Sequence, residues 1–313
     1  LNGISFSMAM TTLSTTIDAD NAGRVDLVVR QLSGSSRSQV RGMVDHGCVL
    51  INDAPCETIA APVVAGDFVS IRYDPAQRYH EKKKPWDDRT FNILFEDDDL
   101  IVVDKSAGSL TVPTDRNEQN TLVERVSVYL SHSRRKRQAW VVHRLDRAVS
   151  GLLVFGKHEP IADRLIEQFK QRKPRRVYTA IVAGVMSSDD GTFHSHLATG
   201  KNLDRFVAQP SGKTEAAITH YRVLERMSDT TLVEATLATG KRNQIRVHFS
   251  DAGHPVLGDP RYNTKQAKHP LWIRKRIALH AKSLGFEHPV SGKAMTFESP
   301  LPSAIEKFLA RSR

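Results

Sequence analysis

Apolar positions in the first part of this chain follow a helical rhythm. Val25, Val28, Val29 and Leu32 recur at the spacing of one helix face. Ser35 or Ser36 caps a second helix with Val40, Met43 and Val44 on one side, and Gly47 stops it. Val49-Leu50-Ile51 then reads as a strand turned by Asn52-Asp53, and Phe68-Val69-Ser70-Ile71 as another strand after Ala65-Gly66. Together these predict a compact helix-helix-strand unit over residues 21–74. Residues 1–20, rich in Ser, Thr and Met, read as a flexible tail. Residues 75–90 hold Pro75, Lys82-Lys83-Lys84 and Pro85-Trp86 with little periodicity, and read as a linker.

From Phe91 onward the pattern shifts to short apolar runs. Ile93-Leu94-Phe95 and Leu100-Ile101-Val102-Val103 flank an acidic turn, Glu96-Asp97-Asp98-Asp99. Trp140-Val141-Val142, Leu152-Leu153-Val154-Phe155 and the segments 177–183, 216–224 and 231–238 are further strand candidates. Helices are expected over 121–130, 161–172 and 302–311. No long internal repeat is present. Many strands with interspersed helices indicate a mixed α/β or α+β domain over 91–313.

Composition narrows the class. The chain has 313 residues with 40% hydrophobic residues, enough for a real core, which argues against disorder. Lys and Arg number 45 against 35 Asp and Glu, a net charge of +10. That excess suits a polyanionic partner, nucleic acid or an acidic membrane, but also an ordinary basic soluble protein. No stretch reaches the roughly 18 apolar residues of a membrane span. The segment from Leu1 to Ile17 lacks the basic front and apolar centre of a secretory signal, and an initial Leu reads as a processed or engineered end. Cys48 and Cys56 fit no zinc motif and are too few for a disulfide framework, so a reducing cytoplasm is the expected setting.

Charge concentrates in three places. The segment His143-Arg144-Leu145-Asp146-Arg147-Ala148-Val149-Ser150-Gly151 lies between two buried-strand candidates. It sets Asp146 among arginines, which keep a carboxylate ionised and able to act as nucleophile or base. Arg134-Arg135-Lys136-Arg137 precedes it, and Lys170, Arg172, Lys173, Arg175 and Arg176 precede Tyr178. Either basic cluster alone is best read as a solvated face; two near one candidate site make phosphate contact more attractive. Further on, Asn243 is expected to cap a helix running to Asp251-Ala252, with Arg246 in its first turn. Asp146 is the obvious partner for that guanidinium, with a purely structural salt bridge as the alternative. Ser211-Gly212-Lys213-Thr214 imitates a P-loop end but has Val207 where the first glycine belongs. His194 and His196 read as strand histidines rather than metal ligands.

Taken in order, these blocks resemble the Rlu-type pseudouridine synthases, which isomerise uridine in ribosomal or transfer RNA. The resemblance rests on His143 to Arg147 with Ser150-Gly151-Leu152-Leu153, on Phe95-Glu96-Asp97 through Val103-Asp104-Lys105-Ser106-Ala107-Gly108, and on Arg176-Val177-Tyr178-Thr179-Ala180. Gln244-Ile245-Arg246-Val247-His248, Gly253 through Tyr262, and Ala278-Leu279-His280-Ala281 complete it. Residues 23–73 similarly resemble the alpha-L RNA-binding domain shared with a small-subunit ribosomal protein. Three departures stand out: Ala148-Val149 where the family usually has Asp-Thr, Lys105-Ser106 for Lys-Pro, and Gly240-Lys241-Arg242-Asn243 for Gly-Arg-Thr-His.

The resemblance implies an α+β catalytic domain with a mixed, mainly antiparallel sheet, behind a small α/β RNA-binding domain. It implies Asp146 as the essential residue, as nucleophile or as base, Arg246 as its partner, and Tyr178 against the uracil. Leu279 shapes the pocket wall, and Arg144 holds the emptied stack or the flipped nucleotide. Arg37 and Arg41, four apart on one exposed helix face, contact RNA phosphate. The reaction needs no cofactor and no metal. Large-subunit ribosomal RNA is the expected substrate, with transfer RNA as the alternative, no membrane partner and a monomeric enzyme. Two competing classes are a non-catalytic RNA-binding or ribosome-assembly protein, and a glycosidic hydrolase. The hydrolase would need two carboxylates flanking the bond, and the signature loop offers one.

Overall fold

A computed structural model describes residues 10–79, 88–132, 137–272 and 276–312. The chain divides into two compact units, Leu1–Trp86 and Asp87–Arg313.

The first unit is built from β1 (Thr11–Thr16), β2 (Gly23–Arg24), α1 (Val25–Ser33), α2 (Arg37–Asp45), β3 (Val49–Ile51), β4 (Ala54–Pro55), β5 (Pro62–Val63) and β6 (Phe68–Tyr73). Ser36 is the cap of α2; its hydroxyl accepts from the Gln39 N–H at 3.3 Å. Asn52 and Asp53 both take left-handed backbone (φ 51° and 64°), as a two-residue hairpin turn between β3 and β4 requires. The apolar faces of the two helices, with Val25, Val29, Val40 and Met43, close over Val49, Val69 and Ile71.

Two expectations need correction here. Residues 11–16 are not part of a loose tail: β1 pairs antiparallel with β6 along its whole length and sets Leu13 against the core. A run of Thr and Ser lacks the apolar alternation that flags a strand, yet β-branched Thr suits extended backbone. The expected linker at 75–90 is also shorter at both ends. Tyr79 is buried in the first unit and accepts the Asp74 N–H through its hydroxyl (2.8 Å), while Asp88 is paired with Arg125 (2.8 Å) in the second unit. Lys82-Lys83-Lys84 and Pro85-Trp86 lie outside the described residues.

The second unit contains β7 (Phe91–Glu96), β8 (Leu100–Lys105), α3 (Leu122–Ser131), β9 (Trp140–Val141), β10 (Ser150–Gly156), α4 (Glu159–Lys170) and β11 (Arg175–Ala183). It continues through β12 (Asp190–Thr199), β13 (Arg205–Ala208), β14 (Glu215–Arg226), β15 (Thr230–Leu237), α5 (Gln244–Asp251), β16 (Leu279–Glu287), β17 (Ala294–Glu298) and α6 (Ser303–Ser312). The strands form one sheet in the order β13-β12-β14-β15-β11-β16-β10-β8-β7, with β17 on β16 and β9 on β10. Pairing is antiparallel except between β10 and β16. The unit is therefore α+β with a mixed, mainly antiparallel sheet.

That one parallel pair positions the site. β10 is buried along its whole length and starts where the signature loop ends. Gly151 is paired with Ala281 and holds φ at +116°; a Cβ there would collide with the Ala281 carbonyl. Only glycine allows β16 to come that close. Tyr178 of β11 is in turn paired with Ala281, beside a β-bulge, so loop, tyrosine and β16 converge.

Candidate active site

Asp146 is held by its loop as much as by its charge partners. Leu145, next to it, is buried, and its N–H and carbonyl both bond to the Thr111 hydroxyl (3.1 and 2.8 Å). The Lys105 ammonium, itself buried, donates to the carbonyls of Ser106 (2.9 Å), Arg147 (3.3 Å) and Val149 (2.7 Å). Gly108 and Arg147 exchange two bonds, Gly108 N–H to the Arg147 carbonyl (2.7 Å) and Arg147 Nε to the Gly108 carbonyl (2.9 Å). At the loop's end the Ser150 hydroxyl meets His280 Nδ1 at 2.9 Å and accepts from Arg276 Nη2 at 2.7 Å. Burial pushes the Lys105 ammonium down to about 7, against the pull of Asp146. Where the resemblance has proline, the Ser106 N–H bonds to the Thr90 carbonyl at 2.8 Å, a bond proline cannot make.

Arg246 enters from α5, whose residues from Gln244 to Phe249 are all buried. The buried Gln244 amide fixes the approach: its oxygen accepts from the Thr239 hydroxyl and Lys241 N–H, and its nitrogen donates to the Ile218 carbonyl and Thr219 hydroxyl. Arg246 then divides its donors among three acceptors. Nε and Nη2 fork onto Asp259 (2.7 and 2.9 Å), and Nη1 reaches Asp146 at 2.6 Å and Asn243 Oδ1 at 3.1 Å. The Tyr262 ring lies under the guanidinium, 5.0 Å from its carbon. Burial pulls this guanidinium toward deprotonation, but Asp259 and Asp146 outweigh it and hold it firmly charged.

Asn243 corrects an expectation. It adopts left-handed backbone (φ 58°), and its side chain caps nothing. Asn tolerates that conformation. Its amide instead bridges Arg246 and the Tyr262 hydroxyl (2.9 Å).

A cavity of about 230 Å³ opens over this arrangement. Arg144, Asp146, Tyr178, Arg246 and Leu279 all line it, and Asp146 is the only carboxylate among the described lining residues. Tyr178 and Leu279 are nearly fully buried and Arg144 is exposed. Burial raises the Tyr178 phenol, Arg176 opposes that, and Asp146 adds to it, so the hydroxyl keeps its proton at neutral pH. Val149, one of the two atypical loop residues, is also in the lining. Arg37 and Arg41 are exposed on α2 of the first unit.

The other polar features have structural tasks. Lys157 and the Tyr129 hydroxyl both bond to Glu96 (2.8 and 2.7 Å), while Asp97 accepts from His288 (2.9 Å) and two backbone N–H groups. His194 and His196 lie in β12. Arg134, Arg135 and Lys136 lie outside the described residues, and Arg137 pairs with Asp98 at 3.5 Å. Lys170, Arg172, Lys173 and Arg175 are exposed, but Arg176 is part-buried.

Residues 99–251 match the family model described as RNA pseudouridylate synthase, and residues 24–69 match the S4 domain model. The ribosomal large subunit pseudouridine synthase D of Nitrosomonas europaea is 35% identical over 314 residues, spanning 96% of this chain and 88% of that protein. This chain belongs to the RNA pseudouridine synthase family. The protein of the same name from Neisseria meningitidis serogroup B is 32% identical across 92% of this chain and 78% of its own. A solved structure, human RNA pseudouridylate synthase domain containing 4, shares the fold at a TM-score of 0.58 and 22% identity, over 70% of this chain and 92% of its own. As a pseudouridine synthase the protein is an isomerase that acts on RNA, carrying an S4 domain ahead of its catalytic unit. No helix among the described residues is long and apolar enough to cross a membrane.

Sequence reasoning gave Arg246 one acidic partner and overlooked Asp259, Lys105 and Tyr262. The signal was available for the first: a buried guanidinium has five donors, more than one carboxylate can satisfy.

Proposed function

We propose that this protein isomerises a uridine of large-subunit ribosomal RNA to pseudouridine, with Asp146 as the reacting carboxylate. The observation that carries this is Asp146 itself: a pocket-lining carboxylate 2.6 Å from a buried guanidinium, with no second carboxylate among the described lining residues. A hydrolase acting through two flanking carboxylates is disfavoured by the same fact. Asp259 lies behind Arg246, fully buried, outside that lining.

The reaction breaks the bond from uracil N1 to ribose C1′ and forms one from C5 to C1′. N1 gains a proton and C5 loses one, so no atom is added and no redox partner is consumed. Asp146 acts either by attacking the ribose or by removing a ribose proton; on either route Arg246 Nη1, 2.6 Å away, orients the carboxylate. Tyr178 offers a flat face to the uracil and a protonated hydroxyl for proton transfer. Leu279 closes the wall. Reaching the pocket requires unstacking the uridine, at a cost of about a few kcal/mol. Phosphate contacts from the S4 domain, Arg37 and Arg41 among them, offset it, and Arg144 holds the flipped nucleotide. Cys48 and Cys56 are buried free thiols, in keeping with a reducing cytoplasm, where we take the enzyme to act as a monomer. The relatives named for the ribosomal large subunit support the choice of RNA.

Mapping pseudouridines in total RNA, with and without the gene, tests this reading. One or more large-subunit positions should revert to uridine and be restored by the wild-type gene. Reversion at a transfer-RNA position alone would replace the substrate, and no reversion anywhere would remove the activity.

A further inference from the structure

Among the described residues, Arg176 has no counter-charge. It sits on β11 two residues before Tyr178, so both side chains leave the same face of the strand. It is part-buried, its Nε is shielded from solvent without an acceptor, and no hydrogen bond or ion pair joins it to any described residue. Its nearest recorded company is apolar or neutral. The guanidinium carbon lies 5.4 Å from the Phe169 ring, whose plane also stacks on His143 at 4.5 Å. His143 Nε2 accepts the Val154 N–H, and burial beside Arg176 pushes that imidazole down to about 3, so it remains uncharged. A ring face offsets part of the charge but satisfies none of the five donors.

The position of the guanidinium says where an acceptor would come from. Gly240 lines the catalytic pocket, and Arg176 Nη1 occupies the space that a side chain at 240 would fill. The missing Cβ brings the cation up to the pocket wall. The neighbouring basic groups are engaged elsewhere: Lys241 pairs with Glu215 at 2.8 Å and Arg242 donates to the Leu203 carbonyl. A charge held unpaired away from water destabilises a fold, and a bound anion would offset that cost.

We infer that Arg176 is an anion-binding residue of the catalytic pocket, reached past Gly240, and that its ligand is a phosphodiester flanking the target uridine. This rests on the reading of the pocket as a uridine site. A planar guanidinium with several free donors suits two phosphate oxygens at once. The role is distinct from that of Arg246, whose donors are committed to Asp259, Asp146 and Asn243.

The test is equilibrium binding of uridine 3′,5′-bisphosphate, uridine and inorganic phosphate to the full chain, followed by NMR. Wild type should prefer the bisphosphate over uridine by about 10- to 100-fold, the worth of one charged hydrogen-bonded contact. Arg176→Gln should bind both alike, Arg176→Lys should fall between, and Gly240→Ala, which displaces the guanidinium, should follow Arg176→Gln. Without ligand, Arg176→Gln should melt at or above the wild-type temperature, because it removes an unpaired charge. The proposal is overturned if Arg176→Gln keeps the preference, if wild type shows none, if inorganic phosphate binds as well as the bisphosphate, or if Arg176→Gln melts well below wild type. None of these readouts needs turnover. An enzyme that fails to isomerise uridine would therefore sink the functional reading and leave the anion site standing or falling on its own result.

Discussion

Asp259→Asn isolates the support behind the catalytic pair. In the wild-type protein one Asp259 oxygen accepts from Arg246 Nη2 (2.9 Å) and from the N–H groups of Arg261 and Tyr262 (2.9 and 3.1 Å). The other accepts from Arg246 Nε at 2.7 Å. An amide has one oxygen. Kept on the backbone side, it turns its NH₂ toward Arg246 Nε, donor against donor; turned round, it faces two backbone donors with its own. Breaking a buried ion pair by removing one charge costs about 3–5 kcal/mol. For a domain of this size each kcal/mol lowers the melting temperature by about 2–4 °C, so a fall of roughly 6–20 °C is expected. Activity should suffer below the melt as well, since displacing a catalytic group by about 1 Å can cost 10²-fold in rate. Near-ultraviolet dichroism gives the first quantity. Release of tritium from uridine C5, the hydrogen displaced when the new bond forms, gives the second. A variant that melts with wild type and turns over at its rate would show that the fork does not set Arg246 in place.

Three other outcomes follow from the same geometry. Lys105 has a folded-state value of about 7 against an ordinary 10.5, so between those values the unfolded chain holds the extra proton and wild-type stability rises with pH. Urea unfolding at several pH values should show wild type gaining about 1.4 kcal/mol per pH unit relative to Lys105→Met over that window; parallel curves would contradict the buried ammonium. Lys105→Met should also be the less stable protein at neutral pH, since three loop carbonyls lose their donor. Arg144→Ala should weaken RNA binding or slow turnover while leaving the melting temperature unchanged, because Arg144 is exposed; wild-type values for both would remove it from the flipped-nucleotide role.

Helices α3 and α4 were legible because each buries one stripe. The 161–172 expectation became α4 at Glu159–Lys170, and the 121–130 expectation became α3, whose Glu124 carboxylate reaches back to accept the Thr121 N–H at 3.0 Å. Strands β7, β8, β11, β14 and β15 were legible as apolar runs. β16 was not, although it lies at the centre of the sheet. Its sequence, Leu-His-Ala-Lys-Ser-Leu-Gly-Phe-Glu, mixes polar groups into a buried strand because His280 meets Ser150 below the active loop and Lys282 falls at the bulge. In the site, Asp146 and Arg246 could be matched because opposite charges in two polar segments invite pairing. Lys105 could not, since its acceptors are backbone carbonyls, which leave no trace in side-chain pattern. Nor could the solitude of Arg176, which was counted with its exposed neighbours and differs from them only in being folded inward.

The account depends most on one carboxylate. Asp146→Asn exchanges a charge for an isosteric amide and leaves the loop bonds from Lys105, Thr111 and Ser150 in place. Measured together, RNA affinity should stay near wild type while C5 tritium release from large-subunit ribosomal RNA falls to background. Substantial release by Asp146→Asn, with RNA still bound, would contradict the assignment of Asp146 as the reacting group.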